Sequence, residues 1–201
     1  MTLKISPVLV KELRKKTGAG MMSCKKALQE TNGNINGAIK ILFQKGLASA
    51  DKKVNRKAIE GIIGSYIHTG GKIGVLVEIN CETDFVARHE EFHELVKNIA
   101  MQIAASPEEV MYISLNMIPR EVSQMESEME SKKEDLINKP DQIIEKIVAG
   151  RVEKNLKKLT LLNQPFIRTP NISVEELIKE RISFFGENIK VKRFIRYTLG
   201  N

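Results

Sequence analysis

The chain has 201 residues, 42% hydrophobic and 28% charged, which is enough apolar side chain to bury a core. The length suits one compact domain or two small ones and excludes a large multi-domain machine. No uncharged apolar run approaches the ~18 residues of a membrane span, and the N-terminal MTLKISPVLVKELRKK lacks the apolar block and cleavage site of a signal peptide, so a cytoplasm-like compartment is expected. The net charge of +7 is uneven: residues 1–58 carry 13 basic and 3 acidic side chains, and the rest of the chain is slightly acidic. That first segment should meet an acidic partner, either nucleic acid or an acidic protein face, because attraction to negative potential does not identify what carries it. Cys24 and Cys81 belong to no CxxC pair, so free thiols are expected rather than a redox motif or a zinc ribbon.

Ser6-Pro7 is an N-cap followed by a first-turn proline. Val10 and Leu13 form an i,i+3 apolar pair, and Gly18 can end this helix in a left-handed cap. A second helix fits Met21 to Asn32, with Cys24, Ala27 and Leu28 on one face and Gly33 at its end. Asn34 caps a third, in which Ile35, Ala38, Ile39 and Leu42 share a face and which Gly46 should stop. Three short amphipathic helices make a small bundle that leans on the rest of the chain or on a partner. The polar run from Ser49 to Lys57 reads as a linker or a solvated helix.

From Gly61 the period is two. Ile63, Ser65 and Ile67 alternate with Ile62, Gly64, Tyr66 and His68; Thr69-Gly70-Gly71 turns the chain; Ile73, Val75, Val77 and Ile79 line one face of the return strand. Phe92, Leu95, Val96, Ile99 and Ile103 then form a helical stripe that would cover the hairpin before Ser106-Pro107 ends it. Between about 119 and 159 a narrow stripe of Ile118, Val122, Met125, Met129 and Leu136, a break at Asn138-Lys139-Pro140-Asp141, and a second stripe of Ile144, Val148, Val152, Leu156 and Leu159 predict an antiparallel helical hairpin, coiled-coil in character. A helix from Ser173 to about Ile182 and a strand from Asn188 to Tyr197 follow, the strand completing the sheet. The fold class is α+β, an N-terminal three-helix bundle followed by an antiparallel sheet packed by helices, with the helical hairpin as an insertion. The expected division is a helical domain over 1–55 and an α+β core over 56–201.

His89-Glu90-Glu91-Phe92-His93 satisfies H-E-x-x-H, in which two histidines hold zinc and the glutamate acts as general base. Arg88, Glu91 and Glu94 mark a wet helix face, however, and no third ligand stands out, so an accidental pair is the reading and no metal or other cofactor is expected. There is no G-x-x-x-x-G-K-[ST] loop, so the chain should bind no nucleotide itself, and three histidines without a nucleophile elbow give no catalytic centre. Lys190, Lys192, Phe194 and Arg196 on one face of the last strand could stack and neutralise single-stranded RNA, but one such strand without an aromatic partner strand disfavours nucleic acid as the partner. At Thr83-Asp84-Phe85-Val86 two readings stay open. Either Thr83 or Asp84 caps the next helix and Phe85, seven residues before Phe92, extends the buried stripe, or a tight corner presents Phe85 outward as a wedge; the spacing favours the first.

Three blocks carry a resemblance: Val10-Lys11-Glu12-Leu13-Arg14 through Thr17-Gly18-Ala19-Gly20-Met21-Met22-Ser23-Cys24-Lys25-Lys26-Ala27-Leu28, then Asn80-Cys81-Glu82-Thr83-Asp84-Phe85-Val86-Ala87-Arg88, then Gly186-Glu187-Asn188-Ile189. In order and over nearly the whole chain, they resemble the elongation factor Ts family of translation factors. The resemblance implies a guanine nucleotide exchange factor, not an enzyme of covalent chemistry, whose partner is elongation factor Tu in its GDP form. It implies that the N-terminal helices are a ubiquitin-associated-like domain docking on the GTPase, with Lys11, Arg14, Met21 and Met22 as contact candidates. It implies that Thr83, Asp84, Phe85 and Val86 disturb the partner's magnesium site, Phe85 foremost. Longer members carry two hairpin modules and this chain shows one, so it resembles the short form, for which a homodimer is expected. His68 matches a histidine on the long form's second module. The compartment implied is a bacterial cytoplasm, or the plastid stroma if the gene is plastid-encoded. The alternative from another class is a basic RNA-binding module of the translation apparatus.

Overall fold

A computed structural model describes residues 5–106, 110–137 and 139–200. Helix α1 (Pro7–Thr17) starts where the Ser6 side chain accepts the Val8 N–H at 3.2 Å and stops at Gly18, whose φ is +67°. That glycine is required twice over, since a Cβ there would lie 2.3 Å from the Phe184 ring. Helix α2 (Met21–Glu30) follows, then α3 (Ile35–Asp51), capped by the Asn34 side chain accepting the Gly37 N–H at 3.0 Å. Val10, Leu13, Cys24, Ala27, Leu28, Ala38 and Leu42 form their common core. Gly46 does not end α3. A Cβ on it would meet the Ser183 hydroxyl at 3.0 Å, so its smallness serves close packing, and the helix runs on through buried Ala50 to Asp51, which pairs with Lys179 at 2.9 Å. Only the part of the polar run beyond Asp51 is irregular.

Strands β1 (Glu60–Ile67) and β2 (Ile73–Cys81) form the expected hairpin, closed by the His68 N–H on the Ile73 carbonyl at 2.9 Å. Three further helices follow: α4 (Asp84–Ala87), α5 (Glu90–Ala105) and α6 (Arg120–Ser131). After them come α7 (Asp141–Lys158), the short strands β3 (Pro165–Phe166) and β4 (Thr169–Ser173), α8 (Val174–Phe185) and β5 (Lys190–Thr198). The main sheet has the order β1-β2-β5, and β3 pairs with β4 in antiparallel fashion. Val75, Val77 and Ile79, on one face of β2, are buried, and so are the five residues of the helical stripe on α5. α5 ends at Ala105; Pro107 and Asn138, expected to terminate helices, lie outside the described residues.

The chain divides into two compact units. One comprises residues up to Gly64, Val77–Asn98 and Glu176–Phe194; the other comprises Ser65–Leu76, Ile99–Glu175 and the chain from Ile195. In the first, β1 and β2 approach so closely at Gly61 (φ +138°) that a Cβ would fall 2.1 Å from the Ile79 carbonyl oxygen. In the second, α6 and α7 form the expected helical hairpin, but its seam differs from the predicted one. Met125 and Met129 are each 64% exposed, whereas Glu130 is 2% exposed. The Glu130 carboxylate accepts Lys133 Nζ at 2.6 Å and Asn155 Nδ2 at 2.9 Å, and Asn155 also donates to Glu126 at 2.6 Å. Arg151 grips Asp135 with two donors and holds its carboxyl below the usual carboxylate range. The Glu130 carboxylate is buried there in place of methionines, with one oxygen held by Lys133 and by Asn155 across the hairpin and the other 3.8 Å from Arg151. Among the described residues no helix is long and apolar enough to cross a membrane.

Candidate partner-binding site

The strand β2 ends at Cys81 and the chain turns sharply into α4. Thr83 is its N-cap, its hydroxyl accepting the Val86 N–H at 3.4 Å. Val86 and Ala87 are buried beneath the turn and Asp84 pairs with Arg88 at 3.0 Å, leaving Phe85 83% exposed. Phe85 therefore does not extend the stripe of Phe92. α4 stops at Ala87, Arg88 and His89 interrupt the helix, and α5 restarts at Glu90, so a seven-residue spacing no longer means a shared face. Of the four corner residues, Val86 anchors the turn from within and Phe85 is the one presented to solvent.

The corner is braced from far along the chain. Glu187 accepts the Thr83 hydroxyl at 2.7 Å and the backbone N–H groups of Thr83 and Glu82 at 3.0 and 3.2 Å. Cys81 donates its thiol to the Thr83 carbonyl at 3.1 Å; burial, then the negative charge of Glu187, pushes that thiol up to about 11, so it stays protonated near neutrality. Glu187 and Asn188 carry no local signal of a role, since their partners lie about a hundred positions away; membership of the Gly186–Ile189 block was the only pointer.

Lys11, Arg14 and Met21 come together with Lys15, Gly18 and Phe184 around a concavity of about 480 Å³. Met22 does not line it but is exposed beside it on α2. The N-terminus of α2 has no side-chain cap and no acidic residue in its first turn, and α1 places Arg14, Lys15 and Lys16 in its last turn. Free N–H groups and cations around an apolar floor suit an acidic, partly apolar surface. His68 belongs to the other unit, exposed at the hairpin turn, with the Tyr66 hydroxyl 3.2 Å from its Nδ1.

The remaining motifs are accounted for by packing. His89 precedes α5 and caps it, its Nδ1 accepting the Glu91 N–H at 3.2 Å and its carbonyl the His93 N–H at 3.2 Å, while its ring lies edge-on to Phe184 and Phe185. Among the described residues no group of three His, Cys, Asp or Glu side chains could hold a metal ion. On β5 Lys190 and Lys192 are exposed, whereas Phe194 and Arg196 are half-buried.

A family model described as elongation factor TS matches residues 11–201. An elongation factor Ts of Synechococcus elongatus is 61% identical over 197 residues, covering 98% of this chain and 89% of that protein. A chloroplastic elongation factor Ts of Pyropia yezoensis is 61% identical over 200 residues, covering 100% of this chain and 90% of that protein. Another, from Guillardia theta, is 61% identical over 200 residues, with 100% and 91% covered. A match of that depth over nearly the full length makes the chain a member of the elongation factor Ts family.

Proposed function

We propose that the protein is a guanine nucleotide exchange factor of translation elongation that docks on GDP-bound elongation factor Tu and speeds release of the nucleotide. The observation that carries this is Phe85, a large apolar side chain 83% exposed on a corner braced by hydrogen bonds in a chain of the elongation factor Ts family. A bare phenylalanine gains roughly 1.5–3 kcal/mol on burial, so a partner that accepts it between packed elements gives way around it. In a GTPase, Mg²⁺ and backbone amides neutralise the nucleotide phosphates, and displacing the groups that support the metal weakens nucleotide binding without a covalent step. Affinity is linked reciprocally, so the nucleotide that rebinds weakens the exchanger's hold and expels it.

Thr83, Asp84 and Val86 shape the wedge in this reading, and the basic concavity of Lys11, Arg14 and Met21, with Met22 beside it, docks on an acidic face of the GTPase. His68 contributes at the partner surface. The helical domain over 1–55 then supplies affinity and the core over 56–201 supplies the wedge. Ile67, Leu76, Ile195, Tyr197 and Leu199 are exposed on their strands or just beyond, in register with the face opposite buried Val75. A second copy of the chain covers that face, giving a two-fold dimer of packed sheets. Cyanobacterial and chloroplastic relatives support a bacterial cytoplasm or a plastid stroma as the setting. The test is release of a fluorescent GDP from elongation factor Tu: marked acceleration supports the function, and none at saturating protein refutes it.

A further inference from the structure

The braced corner has weak means of keeping its own shape. α4 is only four residues long and its cap bond, at 3.4 Å, is long. Phe85 projects away from the fold and adds no packing that would hold the turn. Beyond buried Val86 and Ala87, what fixes the corner is the pair Glu187–Asn188. Both carboxylate oxygens of Glu187 are engaged by the corner, Oε1 by the Thr83 hydroxyl and Oε2 by two successive backbone N–H groups. Asn188, 1% exposed, donates its backbone N–H to Glu82 at 2.6 Å and its side-chain amide to the carbonyls of Val54 and Arg56 at 3.0 and 2.7 Å. The Arg56 guanidinium lies 3.6 Å from Glu82 in turn. One two-residue segment thus fastens both the wedge and the chain that leaves α3.

We propose that Glu187 is a positioning residue, which holds the Thr83–Val86 corner in the shape that lets Phe85 act, with Asn188 fixing that segment to the chain between the helical domain and β1. The inference rests on the exchange reading above. A wedge transmits force only if its base does not yield, and a preformed corner spends none of its binding energy on ordering itself. Glu187 acts through Thr83 and Glu82 rather than through the partner. Its loss therefore weakens what happens after docking more than docking itself.

The test follows release of a fluorescent GDP from elongation factor Tu over a range of concentrations of wild type, Phe85→Ala, Glu187→Ala, Glu187→Gln and Arg181→Ala. Glu187→Ala should lower the maximal acceleration about tenfold or more, since a misplacement of roughly 1 Å can cost on the order of 100-fold, while the half-saturating concentration changes little. Glu187→Gln keeps a carbonyl oxygen that can accept the two N–H groups, while its amide can donate to the Thr83 hydroxyl in the reverse of the native direction, and should recover most of the rate. Arg181→Ala breaks the 2.7 Å ion pair with Glu91; it should lower the melting temperature and leave the maximal acceleration intact, separating positioning from general stability. Should Glu187→Ala fail to fold, Thr83→Val removes one of the three hydrogen bonds to Glu187, together with the α4 cap, at constant volume, and should show a loss in the same direction.

No acceleration by wild type overturns the exchange reading and the inference with it. Acceleration by wild type that Phe85→Ala removes but Glu187→Ala, or Thr83→Val in its place, leaves at its maximum overturns the inference alone, as does an equal loss in Arg181→Ala.

Discussion

Thr83 and Glu187, 104 positions apart in the chain, meet in a 2.7 Å hydrogen bond that ties the cap of α4 to the turn before β5. Thr83→Val deletes both the donor to this carboxylate and the cap of α4. The expected loss is about 2 kcal/mol of folding stability, the sum typical of a hydrogen bond to a charged group and a helix cap with partial compensation by water. A lower urea midpoint with an unchanged slope is the expected readout; an unchanged midpoint would mean that the bond contributes nothing net.

Phe85 and Phe92 separate function from folding. Phe92 is fully buried, and Phe92→Ala should cost about 3–5 kcal/mol through lost burial and the cavity left behind. Phe85→Ala removes a side chain that is 83% exposed and should stay within about 0.5 kcal/mol of wild type. Parallel thermal melts check the contrast.

Cys81 predicts a pH dependence of its own. Its thiol is raised from about 9 to about 11 by burial and by the charge of Glu187, so between those values the folded chain keeps a proton that the unfolded chain has lost. The contribution is complete below pH 9 and is lost as the pH rises toward 11. Urea midpoints measured from pH 8 to 11 should therefore fall more steeply for wild type than for Cys81→Ala, and parallel curves would contradict the placement of the thiol.

Local rules were enough for much of the fold. Ser6, Pro7 and Gly18 bracket α1 as their chemistry requires, and the alternation about Thr69–Lys72 yields the hairpin, because caps and turns involve neighbours a few residues apart. Where partners are distant, the pattern misleads. Met125 and Met129 have the spacing of a seam, yet Glu126 and Glu130 take it because Asn155, 29 and 25 positions away, donates to both, and Arg151 places its charge 3.8 Å from Glu130. Gly46 has the look of a stop, and only Ser183 of α8 makes it an interior packing residue. At the corner the heptad spacing of Phe85 and Phe92 ignores the break at Arg88-His89, and the brace from Glu187 has no local signature at all.

The exposed sheet face sets an expectation for assembly. A second copy on Ile67, Leu76, Ile195, Tyr197 and Leu199 would make the 22.7 kDa chain sediment at twice its mass. Tyr197→Glu introduces a charge on each side of the two-fold and should yield a folded monomer, because a desolvated unpaired charge opposes association. A wild type that sediments as a monomer at micromolar concentration would contradict the dimer.

The most direct measurement is stopped-flow release of fluorescent GDP from elongation factor Tu, with wild type and Phe85→Ala compared at saturation. A marked acceleration by wild type, lost by at least about tenfold in a variant that melts normally and still binds the GTPase, is the predicted result; it corresponds to about 1.4 kcal/mol of transition-state stabilisation supplied by one side chain. Equal rates for the two proteins would contradict the account, because the wedge would then not be Phe85.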